Sequence, residues 1–276
     1  MPDCIHIPRF PLSDHISYMW YCCSDDIKQD VISLPIPSVE MVLNFGESYR
    51  ITGNDNSIVI NNNRHWLSGL QSQPTVTSLR GRHECLGIVF KSTGVLAFTT
   101  IPLSDLGDRP TELTSVWGRE AETLYEALHE TVKVIDKFML AEHFLLKRLR
   151  PEYAVNHHLA KAIRSFERHP SGIQMKDLYS AAGISKKSLT HLFRRYIGMP
   201  PGRYRRLLVF NQTLTAIRMQ AGSRLTDVAY DHDYFDQSHF IKEFSSFAGC
   251  TPKQYQQHCR QHRITPGYEN YIDAAG

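Results

Sequence analysis

The sequence predicts an α+β multidomain protein, in which an N-terminal β-sandwich or barrel with helices precedes an all-α domain. Three observations lead to this prediction. Apolar residues alternate in short runs before residue 115, they recur with a helical period after residue 119, and an internal repeat of about fifty residues lies near the C-terminal end. The chain has 276 residues, 42% of them hydrophobic and 21% charged, which suits two globular domains.

The first 115 residues contain strand patterns bounded by turn residues. In the run 39–45, Val, Met, Leu and Phe occupy every second position, and Gly46 ends the run. Residues 57–60 lead into an Asn-rich turn at 61–63, and residues 86–90 lead into a Ser-Thr-Gly turn. Short strands at this spacing favour an antiparallel sandwich or small barrel.

A helical pattern occupies residues 119–150, where apolar residues recur at spacings of three, four and seven. We expect one or two helices packed on the sheet, and the segment 119–150 is a candidate dimer surface that a substitution at Ile135 would test. Pro151 ends this stretch. The predicted domains are therefore residues 1–150 and 157–260, each with its own core.

Charge is distributed unequally between the two parts. Residues 1–150 hold 14 Lys and Arg against 18 Asp and Glu, a net of −4, whereas residues 151–276 hold 17 against 10, a net of +7. A basic domain beside an acidic one indicates that the C-terminal part alone meets a polyanion.

The repeat in the C-terminal part predicts two similar helical units. Residues 188–193 align with 239–244, and residues 198–204 align with 249–255, both at an offset of 51. Each copy has the pattern of a short helix, a tight turn and a second helix. Ser185 suits an N-cap, and Gly at the ends of the helical patterns suits a C-terminal stop.

A helix, a turn of about four residues and a second helix form a helix-turn-helix, whose second helix enters the major groove of DNA. When the apolar stripe is buried, the outer face of the first copy carries Lys186, Lys187, Thr190, His191 and Arg194. The outer face of the second copy carries Gln237, Ser238, Ile241, Lys242 and Ser245. Such side chains contact base edges, thymine methyl groups and phosphates.

A long helix is predicted between the two copies, over residues 201–220. At about 1.5 Å per residue it spans roughly 30 Å, close to the ~34 Å between successive major-groove entries on one face of B-DNA. Arg203, Arg205 and Arg206 near its start are predicted to contact phosphates. Replacing Arg205 by Ala is then expected to weaken binding to all DNA sequences equally.

Three runs in this region, residues 227–229, 234–244 and 249–255, carry a family resemblance. With them, residues of about 157–258 resemble the double DNA-binding domain of the AraC/XylS family of bacterial transcription regulators. The resemblance implies base-reading positions at Lys187, Thr190, His191, Arg194, Gln237, Ser238, Ile241 and Lys242. One departure is Asp233, where the family usually has Gly.

The N-terminal part resembles an uncharacterised cupin-like domain found upstream of such DNA-binding domains, through residues 37–46 and 86–90. The resemblance implies a β-barrel that binds a small effector or dimerises, and it carries over no ligand and no site residues. The partners implied for the whole chain are double-stranded DNA, a small-molecule effector, RNA polymerase and a second copy of the chain, with no membrane.

Enzyme classes find little support in the sequence. A metal-binding cupin needs two His one residue apart, and no His-x-His occurs; His65 and His83 are isolated, and His6 and His15 lie outside any strand pattern. An alkyl-transfer repair protein needs several closely spaced Cys ligands, which the chain lacks. We therefore expect no catalysis, no cofactor and no metal. A protein-binding helical module is the remaining alternative, and the charge of +7 argues against it.

The expected location is the bacterial cytoplasm, at the nucleoid. No apolar run is long enough for a membrane span, and the first residues lack a signal-peptide pattern. The six cysteines include no Cys-x-x-Cys pair and are expected to be reduced, with a redox role for the adjacent Cys22 and Cys23 as a minor alternative.

Overall fold

The computed structural model describes residues 3–53, 58–61, 64–106, 110–150, 155–219, 224–232, 234–261 and 270–273. Within these ranges, nine strands form one antiparallel sheet. The strands are β1 (Cys4–His6), β2 (Ile16–Ser33), β3 (Val39–Asn44), β4 (Arg50–Gly53), β5 (Ile58–Asn61), β6 (His65–Ser68), β7 (Thr75–Phe90), β8 (Thr111–Glu112) and β9 (Tyr271–Asp273).

Two long strands, β2 and β7, organise the sheet. They pair from Ile16 opposite Phe90 to Ser33 opposite Thr75. Strand β3 pairs with the C-terminal half of β7, and β4 pairs with its N-terminal half. The three predicted strand runs lie in β3, β5 and β7, which confirms the β-rich N-terminal part. The prediction that His6 lies outside any strand is wrong, because His6 ends β1.

Four α-helices of the N-terminal part follow β7, with the short β8 between the first two: α1 (Leu103–Leu106), α2 (Leu113–Trp117), α3 (Arg119–Glu130) and α4 (Val134–Arg148). The helical pattern over 119–150 is thus two helices. Leu124, Leu128, Phe138 and Leu145 face the sheet and are buried. Two polar bonds fix the packing: Tyr125 Oη donates to the Asn44 carbonyl at 2.9 Å, and Trp117 Nε1 donates to the Phe98 carbonyl at 3.0 Å.

The C-terminal part is helical: α5 (His157–Arg168), α6 (Met175–Ala182), α7 (Lys186–Ile197), α8 (Pro201–Met219), α9 (Leu225–Asp231), α10 (Gln237–Ala248) and α11 (Pro252–Gln261). The predicted helix ends are confirmed. Ser185 Oγ accepts from the backbone N–H of Ser188, and Gly198 and Gly249 end α7 and α10 in the left-handed conformation, which glycine adopts most easily. Asp233 lies outside the described residues. None of the described helices combines the length and apolar character needed to cross a bilayer.

The two parts of the chain are joined by a polar and an apolar interface. Tyr204 of α8 is fully buried, and its hydroxyl lies 2.6 Å from Ser92 Oγ, just after β7. Asn211 Nδ2 donates to the Pro35 carbonyl at 3.1 Å. Most of the buried apolar side chains of the two parts form one contiguous cluster, and a smaller cluster lies within the N-terminal sheet. The expectation that each part has its own separate core is therefore not met.

A third connection lies between α1 and α7, which pack together. A Cβ built on Gly198, at the end of α7, lies 3.2 Å from the Leu103 carbonyl oxygen of α1. Finally, β9 pairs with the end of β2, with Ser33 opposite Tyr271. The chain therefore returns to the N-terminal sheet after its last described helix.

Candidate nucleic-acid interface

The first recognition helix, α7, is fixed by its apolar stripe. Leu189, Phe193 and Ile197 are buried, and the ring of Phe193 lies 5.9 Å from that of Phe166 and 5.8 Å from that of Tyr204 between centroids. Because these contacts set the rotation of α7 about its axis, they also determine which side chains face solvent.

The opposite face of α7 carries the predicted side chains. Lys186, Lys187, His191 and Arg194 are exposed, and Thr190 is partly buried beside them. The helix contains four Lys or Arg residues and no acidic residue. This charge density is what attracts a phosphate backbone, and the exposed imidazole is a donor suited to a base edge.

The second recognition helix, α10, follows the same design. Phe240, Phe244 and Phe247 are buried, and the ring of Phe210 on α8 lies 5.3 Å and 5.1 Å from the rings of Phe244 and Phe247. The exposed face carries the predicted Gln237, Ser238, Ile241 and Lys242. Ser245, predicted on the same face, is instead partly buried.

Helix α8 sets the distance between the two recognition helices. Its 19 residues correspond to about 28 Å at ~1.5 Å per residue, near the ~34 Å between successive major grooves. Arg206 Nη1 donates to Glu243 Oε1 of α10 at 3.1 Å, so an ion pair also ties the second recognition helix to α8.

Like Arg206, the other two arginines predicted to contact phosphates are bonded within the chain. Arg203 Nη2 donates to the Ser72 carbonyl at 3.2 Å, across the interface between the two parts. Arg205 donates to the Pro170 and Ser171 carbonyls, which tie α8 to the turn after α5. A phosphate contact by either side chain would therefore require it to share or exchange these partners.

One residue beside the interface received no role from the sequence. Phe235, immediately before α10, is 91% exposed, whereas its neighbour Tyr234 packs on Phe240 with ring centroids 4.9 Å apart. Tyr230 on α9 is 85% exposed. The adjacent aromatic residues Tyr234 and Phe235 could have indicated an exposed ring, because here only Tyr234 packs on the core.

A second polar cluster lies on the sheet face turned away from the helices. Trp20 Nε1 donates to Glu40 Oε1 at 2.8 Å, and burial raises the pKa of Glu40 to about 7. Cys22 and Cys85 lie opposite each other on β2 and β7. Hydrogen bonds from Cys85 and from His83, whose Nε2 is 3.3 Å from Cys22 Sγ, lower the pKa of the Cys22 thiol, whereas burial raises that of Cys85.

Over the described ranges, no group of three or more His, Cys, Asp or Glu side chains is placed to hold a metal ion. His65 instead forms a hydrogen bond with the carboxylate of Glu122, which accepts at Oε1, 3.1 Å from the imidazole Nε2.

Comparison with known families gives two matches, one in each part of the chain. Residues 178–258 match the model described as helix-turn-helix domain, and residues 5–112 match the model described as domain of unknown function (DUF6597). The first match covers α7, α8 and α10, which carry the interface described above. The second covers the sheet from β1 to β8 and describes no activity.

Two bacterial proteins are similar in sequence. YkgA of Escherichia coli (strain K12), named as an HTH-type transcriptional regulator, is 31% identical over 88 residues. AarP of Providencia stuartii, named as an HTH-type transcriptional activator, is 28% identical over 87 residues. The matched segments are 32% and 30% of this chain, and they span 36% of YkgA and 62% of AarP.

The fold as a whole is similar to that of ToxT from Vibrio cholerae. The superposition has a TM-score of 0.51 at 12% sequence identity, and it covers 86% of this chain and 98% of ToxT. The likeness therefore extends over both the N-terminal sheet and the C-terminal helices, at the level of fold.

Proposed function

The C-terminal part of this chain is an AraC/XylS-type helix-turn-helix domain, and on that premise we propose that the whole chain is a sequence-specific DNA-binding transcription regulator. The observation that supports this most directly is the pair of recognition helices on one linking helix. Each has a buried apolar stripe and an exposed polar or basic face. The proposed mechanism places α7 and α10 in consecutive major grooves.

The base-reading residues are proposed to divide between the two helices. On α7, His191 donates to guanine N7 or O6, while Lys187 and Arg194, one turn on either side, contact bases or phosphates. On α10, Ile241 is 40% exposed and suits a thymine methyl group, and Lys242 suits a phosphate. Lys186, Thr190, Gln237 and Ser238 complete the proposed reading surface.

The N-terminal part is proposed to regulate the DNA-binding part. A small-molecule effector, a second copy of the chain and RNA polymerase are the proposed partners, and no catalytic step is assigned. The proposed place of action is the bacterial cytoplasm, at the nucleoid. The close interface at Tyr204 supports this proposal, because a displacement of Ser92 at the end of the N-terminal sheet would act directly on α8 through this contact.

The proposed dimer surface is the exposed apolar face of α4. Ile135, Met139 and Leu146 are 54%, 60% and 44% exposed, and their spacing of four and seven places them on one side of the helix. Replacing Ile135 by Asp is expected to lower the sedimentation mass from dimer to monomer. An unchanged mass would contradict this surface.

DNA binding is tested by fluorescence polarisation with a random duplex across a salt series. About five basic side chains at phosphates predict a slope of log affinity against log salt of roughly −4 to −6. A slope near zero would contradict the assignment and favour a protein-binding role for the helices.

Sequence reading is tested by site selection on His191→Ala. The variant is expected to lose about 1–3 kcal/mol on the selected site and to relax preference at one or two base pairs. The control is His129→Ala, which removes an exposed imidazole from α3 and should leave the selected sequence unchanged. If both variants select the wild-type sequence, α7 does not read bases through His191.

A further inference from the structure

A large cleft lies between α3, α4 and the segment 98–100, away from both recognition helices. Its volume is about 850 Å³, within the range of ~300–1,000 Å³ usual for small-molecule sites. Apolar and aromatic side chains form most of its wall, among them Val116, Trp117, Leu124, Leu140 and Phe144. A ligand that fills this cleft therefore needs an apolar body.

The lining of the cleft is also basic, because it includes four Lys, Arg or His side chains: His143, Lys147, Arg148 and Arg150. Against them stands one acidic lining residue, Glu120. The lining therefore favours an anion. The charge and the apolar wall meet at a single side chain, Arg148.

Arg148 has an unsatisfied donor. Its guanidinium lies 4.8 Å from the ring centroid of Phe144 and 5.3 Å from that of Trp117, with the side chain 20% exposed. Its Nε is buried and has no hydrogen-bond partner among the described residues. A buried unpaired donor on a charged group costs free energy that an incoming acceptor would recover.

Glu120 contacts a different nitrogen of the same guanidinium. Its carboxylate forms an ion pair with Arg148 Nη2, and the Glu120 side chain is 70% exposed whereas that of Arg148 is 20% exposed. Because water reaches the Glu120 carboxylate, a ligand carboxylate can compete with it for the guanidinium. A guanidinium recognises a carboxylate through two parallel N–H donors, and Nε supplies one that Glu120 leaves unused.

We propose that this cleft binds a small organic carboxylate with an apolar body, its carboxylate on Arg148 and its body against Trp117 and Phe144. The role of this ligand as an effector rests on the proposed function, whereas its binding to the cleft does not. The largely apolar wall favours this ligand over a phosphate, whose three oxygens and higher charge need polar partners on several sides.

The position of the cleft also connects it to the first recognition helix. Arg150 Nη1 donates to the Thr99 carbonyl at 3.2 Å, and the backbone N–H of Arg150 donates to the Ala97 carbonyl at 3.0 Å. The segment they hold leads directly to α1, which packs on the end of α7. Occupancy of the cleft can thus reach the DNA-binding part through a short contiguous path.

Calorimetric titration of the full chain with sodium 4-phenylbutanoate tests the site without DNA. Arg148→Gln is expected to weaken binding about 10- to 100-fold, the effect of one charged hydrogen bond. Lys147→Gln makes the same charge change on an exposed neighbour and should weaken it less than about fivefold. Glu120→Gln should strengthen binding, because it removes the competing carboxylate, and this gain holds even if Arg148→Gln fails to fold.

Three further arms decide what the cleft recognises. The neutral 4-phenylbutanamide should bind wild type as weakly as the acid binds Arg148→Gln. Equal binding of acid and amide, displacement by inorganic phosphate, or no heat with wild type at ~10 mM acid would each overturn the proposal. If Ile135→Asp binds the acid and wild type does not, a second copy covers the cleft and the proposal also fails.

DNA binding by the same preparation is measured separately with the random duplex. A chain that binds the acid but no DNA retains this site and refutes the proposed function. A chain that binds DNA but not the acid supports the proposed function and refutes this site.

Discussion

Glu40 should make the stability of the N-terminal sheet depend on pH near neutrality. The residue lies on β3, opposite Val89 of β7 and Ser68 of β6, and its carboxylate accepts a hydrogen bond from Trp20 Nε1. Burial raises the pKa of Glu40 from its ordinary 4.5 to about 7. The folded chain therefore holds a proton between these two pH values that the unfolded chain releases.

The sign and size of the effect follow from proton linkage. Because the pKa is raised in the folded state, the stability contributed by the protonated carboxyl group is fully present below about pH 4.5. It is lost as the pH rises from there through 7. At ~1.4 kcal/mol per pKa unit, the difference between 4.5 and about 7 amounts to about 3 kcal/mol. Glu40→Gln keeps an acceptor for Trp20 and removes the ionisation. Above pH 8 the free energy of unfolding of this variant should therefore exceed that of wild type by about this amount.

Urea unfolding followed by circular dichroism at pH 5, 6, 7 and 8 measures the effect. The stability difference between Glu40→Gln and wild type should be smallest at pH 5 and grow steadily to pH 8. Glu126→Gln, at an exposed position on α3, is the control and should show a constant difference. If the wild-type and Glu40→Gln curves run parallel from pH 5 to 8, the carboxyl group is not buried as described.

Three further predictions follow from single contacts. Tyr204→Phe removes the hydroxyl bonded to Ser92 and should cost about 1 kcal/mol, seen as an earlier thermal transition; an unchanged transition would show that this bond does not hold the two parts together. Arg205→Ala should lower stability by about 1–3 kcal/mol through loss of two carbonyl partners, and a melt identical to wild type would leave only a phosphate role. Diamide should join Cys22 to Cys85 across β2 and β7, because directly opposite strand positions lie within disulfide reach; mass spectrometry that finds both thiols free would contradict this register.

Local patterns predicted most of the DNA-binding part. The apolar stripes of α7 and α10 are spaced by the helical repeat, and their ends are marked by Ser185, Gly198 and Gly249. Each of these signals acts within a few residues along the chain, so one sequence is enough to detect it. The exposed face of α7 was then predicted as the residues that lie outside the buried apolar stripe.

The pairing of strands that lie far apart in the chain could not be predicted from the sequence. Strand β2 runs for 18 residues through Asp25 and Asp26, which interrupt its alternation, and a register shift between Ser24 and Ile27 accommodates them. Its continuity depends on β7, some sixty residues later. The partners of Arg203 and Arg205 were missed for the same reason, because a carbonyl acceptor has no signature in a sequence.

The C-terminal strand has a consequence for synthesis. Ser33 and Tyr271, which face each other in β2 and β9, are 238 residues apart. At roughly 5–20 residues per second, the ribosome takes about 12–50 s to reach the second after the first. Throughout that interval the end of β2 presents an open edge, and α5 to α11 are all made before this edge is covered.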